Sequence, residues 1–307
     1  MQVIPCQTDS VLTIQQLRVL TAVADHGSLA RAAEALNYGT PTMTHHLNAL
    51  ERELEVQLVE RTPRGVRLTE MGNVVLQEAH GILGRAQHLH KSVAQLKDAG
   101  VATLRIGTFA SSGSRLLPSA IRQLQSQFQV QVEVIEAEPT TVVSMLQRQE
   151  IHAGLIYDFA DDPSFSATGL QLTHLQREPY QVLIAKNHPL AQRSQLDFTQ
   201  LRDVSWICAR HEDESPGRAL QRACRGAGFI PKELIRTDDL LMIHGLVAAG
   251  LGMAVITESA TVPQLEVTLR PAIQPLGERL VALASHPEHT PPAVHELARI
   301  LTQLSAR

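Results

Sequence analysis

Apolar positions recur every three or four residues through the first hundred residues, and beyond them short apolar runs alternate with helical stretches. In TIQQLRVLTAVADHG, Leu17, Leu20, Val23 and Ala24 share one stripe, with Thr13 as N-cap and Gly27 as stop. Ser28 is placed to N-cap a second helix, and Arg31 at its N3 position leaves no reciprocal capping box. Leu29, Ala32, Ala33 and Leu36 face inward along it, the two alanines allowing close helix approach. Asn37 and Gly39 suit a left-handed turn, and Thr40-Pro41 opens a third helix as N-cap and N1. Met43, Leu47, Leu50 and Leu54 take its core side, which turns Thr40, Thr42, Thr44, His45 and Asn48 outward. Leu58-Val59 and Val66-Arg67-Leu68 read as two short strands joined by the turn Pro63-Arg64-Gly65.

From Asn73 to Leu96 a single long helix is predicted. Val75, Ala79, Ile82, Ala86, Leu89, Val93 and Leu96 recur at steps of 4, 3, 4, 3, 4 and 3, an a/d heptad seam. A helix of that length, roughly 35 to 40 Å at about 1.5 Å per residue, is too long to be buried in one small domain. Its narrow stripe asks for a partner helix, so these seven residues are the predicted dimerisation seam. Gly81 and Gly84 each weaken the helix by about 1 kcal/mol relative to Ala. Asp98-Ala99-Gly100 ends it at an interdomain joint.

The remainder reads as an α/β domain with a parallel sheet. Strands are expected at TLRIGTF, VQVEVIEA, HAGLIYD, YQVLIAKNHPLA, VSWICA, ELIRT, GMAVIT and RLVALASH. Helices are expected over 115–127, 140–149, 216–227, 239–249 and 292–304. These elements form two similar sets, with the final strand and helix rejoining the first. The expected organisation is a helical domain with a hairpin over 1–71, a linker helix over 72–99 and an α/β domain over 100–307. Within the last, one subdomain takes 100–172 with 267–307 and the other takes 173–266.

Composition narrows this picture without redirecting it. At 307 residues with 44% hydrophobic and 19% charged positions, the chain is a multidomain globular protein rather than a disordered one. The net charge of −4 gives no global basic field to announce a nucleic-acid partner, although a local patch can still supply phosphate contacts. Three cysteines, Cys6, Cys208 and Cys224, fit a reducing compartment, and MQVIPCQTDS has neither the basic nor the apolar region of a signal peptide. With no apolar run of membrane-spanning length, a cytosolic protein without a membrane partner is expected.

The polar face of the third helix is what a recognition helix presents to base edges in the major groove. Glu34, Glu51, Glu53 and Glu55 outnumber Arg31 and Arg52 around it, but the following hairpin carries Arg61, Arg64 and Arg67 against Glu60 alone. That is a local basic patch shaped like the wing of a winged helix-turn-helix. The stretch from Leu12 to Gly72 resembles the DNA-binding domain of the LysR-type transcriptional regulators in several features. These are its leucine pattern, the Gly-Ser before helix two, the Ala-Ala pair, the Leu-Glu late in helix three, the wing arginine and the Leu-Thr-x-x-Gly exit. The resemblance implies that Thr42, Thr44, His45 and His46 lie on the recognition helix, and Arg61, Arg64 and Arg67 on the wing. Ser28, Arg31, Thr40 and Asn48 complete the candidate DNA contacts. Gly39-Thr40, Thr44, Val56 and Val59 depart from the residues common in the family, so base preference does not carry over.

In the second half, NHPLA and LVAAGLGMAVIT resemble the effector-binding domain of the same family, a fold like that of periplasmic binding proteins. His152 stands where the family usually has Asp. Open α/β sheets bind ligands at strand carboxyl ends. The candidate effector contacts there are Ser111, Ser112, Thr140, Ala209, Arg210, His211, Asp239 and Thr257. Each also fits a helix cap or turn. Ser111 and Ser112 suit an anionic or carbonyl group, and Arg210 with His211 a carboxylate. The expected function is a ligand-responsive regulator, homodimeric or homotetrameric on an inverted repeat, with RNA polymerase a further candidate partner and no cofactor.

Rival classes leave weaker traces. An enzyme would need motifs such as G-x-S-x-G, a P-loop or G-x-G-x-x-G, and Gly250-Leu251-Gly252 lacks the third glycine. His286, His289 and His295 lie among prolines with no nearby Cys or Asp, so no metal site is expected. A free-standing small-molecule-binding protein lacks an export signal here. A thiol sensor would use Cys208 and Cys224, which the strand and helix patterns place inside the fold.

Overall fold

A computed structural model describes residues 12–62, 65–99, 102–165, 168–288 and 290–306. The chain divides into two compact units, Met1–Gly100 with Gln147–Glu150, and the remainder.

The first unit opens with α1 (Ile14–His26), α2 (Leu29–Ala35) and α3 (Thr40–Leu54), followed by the hairpin β1 (Val59–Thr62) and β2 (Gly65–Leu68). Thr13 and Gln16 form a reciprocal capping box on α1, and Gly27 ends it in the left-handed region with φ 58°. Ser28 occupies the N-cap of α2 without making the side-chain bond expected of it. Gly39, not Thr40, is the N-cap of α3, which moves Thr40 to the first helical position. Leu17, Leu20, Val23, Ala32, Ala33, Met43, Leu47 and Leu50 meet in one core with Leu58 and Val59. Each fully buried aliphatic side chain there contributes about 1.5 to 3 kcal/mol.

Two contacts fix the wing. Glu51 of α3 accepts backbone hydrogen bonds from Leu58 (2.7 Å) and Val59 (3.2 Å) with one carboxylate oxygen. Val66 N–H donates to the Gly27 carbonyl at 3.0 Å, and at Gly65, φ 136°, a Cβ would lie 2.3 Å from that same oxygen. Only glycine lets the hairpin approach the end of α1 this closely.

The long helix α4 (Glu70–Ala99) starts three residues before the periodicity suggested and ends three after. Its seam needs one correction. Val75 and Ala79 are not free for a partner, because both pack into the core of their own unit, Ala79 with no exposed surface. The first turns of α4 must cover α1, so the i and i+4 positions nearest the hairpin turn inward. Ile82 and Leu89 remain exposed, at 40% and 63%, and Ala86 is half-buried. The side chains of Val93 and Leu96 lie outside the described residues.

The second unit runs β3 (Ala102–Thr108), α5 (Ala110–Arg115), α6 (Leu117–Gln127), β4 (Val130–Glu136), α7 (Pro139–Gln147), β5 (Ala153–Phe159) and β6 (Gln171–Pro179). It continues with β7 (Gln181–Ala185), β8 (Ser205–Cys208), α8 (Ser215–Gly226), β9 (Lys232–Arg236), α9 (Leu240–Ala248) and β10 (Ala254–Ile256). It closes with β11 (Val267–Arg270), β12 (Glu278–Ser285) and α10 (Pro292–Ser305). One sheet has the order β4-β3-β5-β12-β6, a second the order β10-β7-β11, and β8 pairs with β9.

The sheets are mixed rather than parallel. β3 is parallel to β4 and β5, whereas β12 runs antiparallel to both β5 and β6. β10 and β11 flank β7 antiparallel. Strands β6 and β11 escaped the sequence reading because their alternation is half-exposed and interrupted by charges. They also move the crossings between subdomains. β6 stays with the first sheet and β11 with the second, so the chain crosses near Tyr180 and again between Arg270 and Glu278. The boundaries expected at 172/173 and 266/267 lie several residues too early. Two separate cores back the two lobes, one around Ile106, Leu155 and Leu297, the other around Phe198, Trp206 and Val255.

Candidate functional site

On the first unit, α3 separates a buried face from a polar one. Thr40, Thr42, His45 and Asn48 are exposed, while Met43, Leu47 and Leu50 anchor the opposite side. Thr44 is half-buried, and its hydroxyl donates to the Thr40 carbonyl at 3.1 Å. His46 is also half-buried, its ring 6.1 Å from that of Tyr38. Both therefore sit at the margin of the outward face. Arg31 and Arg67 are exposed and Ser28 is half-buried. Arg61 lies on β1 opposite Val66, and nothing is described of its side chain; Arg64 lies outside the described residues. Glu51, one of the acids that seemed to oppose DNA, is engaged by the wing backbone and is not a free surface charge.

On the second unit, the two lobes enclose a cleft of about 620 Å³, part of it open to solvent. Ser111, Ala209 and Thr257 line it, as their positions after strands suggested. Thr140 lines a neighbouring crevice with Asp158, Glu214 and Arg218. The other candidates are placed differently. Ser112 is buried at 3% exposure and does not line the cleft. Asp239 is exposed and caps α9, accepting from the backbone of Leu241 (2.9 Å) and Met242 (3.0 Å). His211 is exposed, and Arg210 is drawn to Asp238, with its backbone N–H 2.9 Å from one carboxylate oxygen and its Nε 3.4 Å from the other. Asp238 thus occupies the cation that a ligand carboxylate would have used.

Sequence reasoning missed the charged groups of the cleft. Arg279 is 5% exposed and bonds Glu178 through Nε (2.8 Å) and Nη2 (2.5 Å), Ser259 at 2.6 Å and Ser111 at 3.3 Å. Its guanidinium also lies 5.2 Å from the Phe109 ring centre and 5.3 Å from that of Tyr157. Arg279 opens β12 and pairs in register with Phe159 at the end of β5 and Glu178 near the end of β6. An antiparallel strand starts where its neighbour ends, so its first residues reach the ligand end of the sheet. The parallel expectation hid that.

Opposite stand carboxylates. Glu138 accepts from the Tyr157 hydroxyl at 2.7 Å, and burial raises its pKa despite that bond. Burial likewise raises the Tyr157 hydroxyl well above the usual tyrosine range. Glu214 is 8% exposed and one of its oxygens, Oε1, is buried with no hydrogen-bond partner. Burial, together with the charges of Asp238, Glu138 and Asp213, pushes its pKa up to about 8. The signal for both was present in Glu138-Pro139 and Glu214-Ser215-Pro216, acids just before helix starts.

Models of two bacterial families match the chain: the regulatory helix-turn-helix protein, LysR family, over residues 14–73, and the LysR substrate binding domain over residues 98–306. The chain belongs to the LysR family of regulators.

Among relatives, the HTH-type transcriptional regulator XapR of Escherichia coli is 27% identical over 289 residues, covering 94% of this chain and 97% of XapR. The hydrogen peroxide-inducible genes activator of Dickeya chrysanthemi is 27% identical over 287 residues, covering 90% of each protein. A solved structure of a full-length OxyR variant from Pseudomonas aeruginosa superimposes with a TM-score of 0.57 at 27% identity, covering 94% of both chains. The LysR-type fold, a helix-turn-helix unit followed by a substrate-binding unit, is therefore the fold of this chain.

Cys208 is 7% exposed and Cys224 fully buried, both in the core around Trp206. Burial pushes their pKa values up to about 11 and about 12. A sensor thiol is accessible and ionised near neutral pH; these two are neither.

Proposed function

We propose that this LysR-family protein is a ligand-responsive transcription factor, cytoplasmic and homo-oligomeric, that reads an inverted-repeat site through two copies of α3. The observation that carries this reading is the division of labour across the first unit. Thr40, Thr42, His45 and Asn48 form an exposed, uncharged face on a helix whose other side is locked into the core, and the basic hairpin stands beside it. Thr42 and His45 supply base contacts, and Arg61, Arg64 and Arg67 supply phosphate contacts. Ile82, Ala86 and Leu89, continued by Val93 and Leu96, form the seam between two α4 helices. The effector sits in the cleft lined by Ser111, Ala209 and Thr257 and favours one closure of the lobes, because it binds the two closures with different affinity. The linker helices carry that difference to the spacing of the DNA-binding units. Dimer and tetramer both satisfy this scheme.

Fluorescence anisotropy on the DNA upstream of the protein's own gene separates the two residue classes. Arg64→Ala and Arg67→Ala are each expected to weaken binding to all sequences and to lower the salt slope by about 1. His45→Ala is expected to change the preferred base at one position by about 1 to 3 kcal/mol while leaving the salt slope unchanged. If Arg67→Ala changed base preference and His45→Ala only the salt slope, the assignment of roles would be reversed.

A further inference from the structure

The cleft is built for a positive charge. Among the described residues that line it, Arg279 is the only basic side chain, and both its guanidinium edges are already taken by Glu178, Ser259 and Ser111. The acids are Glu138, Glu214 and Asp238; among the described residues only Asp238 makes a salt bridge, to Arg210, while the charge of Arg279 also acts on Glu138. Glu138 is held by a neutral hydroxyl. Glu214 Oε1 is a buried acceptor with nothing to accept from. Such an orphan in the wall of an open cleft is an unfilled position for a ligand donor. Apolar walls from Ile207, Ile243 and Val255 adjoin it.

We propose that the effector is an organic cation, a primary ammonium on an apolar body, whose N–H groups donate to Glu214 Oε1 and lie between Glu214 and Glu138. The proposal rests on the cleft being the effector site. An organic cation is favoured over a metal ion because no three His, Cys, Asp or Glu side chains among the described residues converge as a metal shell requires. The ligand groups expected from the sequence, an anionic or carbonyl group at Ser111 and Ser112 and a carboxylate at Arg210 and His211, give way on this account to a cation. Ser111 is bound to Arg279, Ser112 does not reach the cleft and Arg210 serves Asp238.

The scheme also gives closure a cause. Glu138 stands between β4 and α7 on one lobe, and Glu214 and Asp238 stand before α8 and α9 on the other. An ammonium between them is attracted by carboxyl groups of both lobes at once, which favours closure. The titratable and charged groups that line the cleft and the adjoining crevice with Glu214 are Asp213, Asp238, Glu138, Tyr157, Tyr180, Cys208, Asp158, Arg218 and Arg279. With its pKa near 8, Glu214 holds a proton at pH 7 in the free protein and gives it up when the ammonium arrives.

The test uses the full chain and three matched probes in isothermal titration calorimetry: phenethylamine, 2-phenylethanol and 3-phenylpropionate. Phenethylamine is expected to bind at least about tenfold tighter than the alcohol, with 3-phenylpropionate weakest. Its heat should differ between phosphate and Tris at pH 7, reporting proton release. Glu214→Gln should remove the preference for the amine and abolish the buffer dependence. Failure of phenethylamine to bind, or 3-phenylpropionate binding as tightly, overturns the proposal. The cleft reading is judged separately by Ala209→Trp, which obstructs the cleft mouth. If that variant blocks whichever probe binds, the cleft stands even when the charge preference fails. If neither Ala209→Trp nor Glu214→Gln affects amine binding, both fail.

Discussion

Arg279→Ala is expected to lower the stability of the ligand-binding unit by about 3 to 5 kcal/mol, the usual effect of removing one partner of a buried ion pair. Urea unfolding followed by the fluorescence of Trp206, the chain's single tryptophan, measures it. The loss is large because one substitution leaves Glu178, 14% exposed at its side chain, without its cation. It also strips the Phe109 and Tyr157 rings of the guanidinium beside them. Arg279→Lys should recover only part of the loss, since an ammonium cannot reproduce the two-edged contacts to Glu178, Ser259 and Ser111. A double change of Arg279 to Met and Glu178 to Gln should be milder than Arg279→Ala alone. A drop below about 1 kcal/mol for Arg279→Ala would show that the pair is solvated and does not organise the cleft.

Glu214→Gln is expected to act in the opposite direction and to do so only at higher pH. In the folded protein the carboxyl titrates at about 8, above its ordinary value of 4.5. The folded state thus holds the proton more tightly than the unfolded chain. The contribution of Glu214 to native stability is therefore fully present below pH 4.5 and is lost as pH rises through about 8. Glutamine carries no such decline, and its amide N–H can donate to Asp238 where the protonated carboxyl would. The two proteins should unfold alike near pH 4.5 and diverge to about 1 to 3 kcal/mol in favour of the variant above pH 8. A pH-independent difference, or a destabilised variant, would mean that Glu214 is paired in solution and that its Oε1 is no orphan.

The parts of this molecule that obey a local periodicity were readable from sequence. The α3 stripe of Met43, Leu47 and Leu50 is buried as its spacing required, and Thr13 caps α1 with the reciprocal Gln16 bond. Local rules also located the strand ends that precede Ser111, Ala209 and Thr257, but not the short helix α5 on which Ser111 lies. What escaped depends on distant partners. Val75 and Ala79 satisfy a heptad yet belong to the core over α1, because periodicity says which residues share a face and not what covers it. Asp239 caps its own helix, the role its position favoured over a ligand contact, whereas the adjacent Asp238, which no local rule singled out, reaches back to Arg210. Arg279 and Glu178 meet across an antiparallel pair 101 residues apart in sequence, invisible to any window a helix or strand rule uses.

The DNA side of the account was legible because it is carried by one contiguous stretch. Its apparent contradiction, a recognition segment richer in acids than arginines, is eased by Glu51, which holds the wing strand by its backbone, and is offset by the arginines of the hairpin. The remaining polar face is nearly uncharged, so affinity must come from the hairpin arginines and from using two copies at once.

The central claim is that two α3 faces read one DNA site with phosphate affinity supplied by the wing. The most direct measurement is anisotropy of the full chain on the duplex upstream of its own gene, titrated across salt concentrations against a scrambled duplex of equal length. The account predicts preferential binding to the upstream duplex at low salt, with log affinity falling linearly with log salt at a slope of several units. Binding that is absent at low salt, or equal on both duplexes, would contradict it.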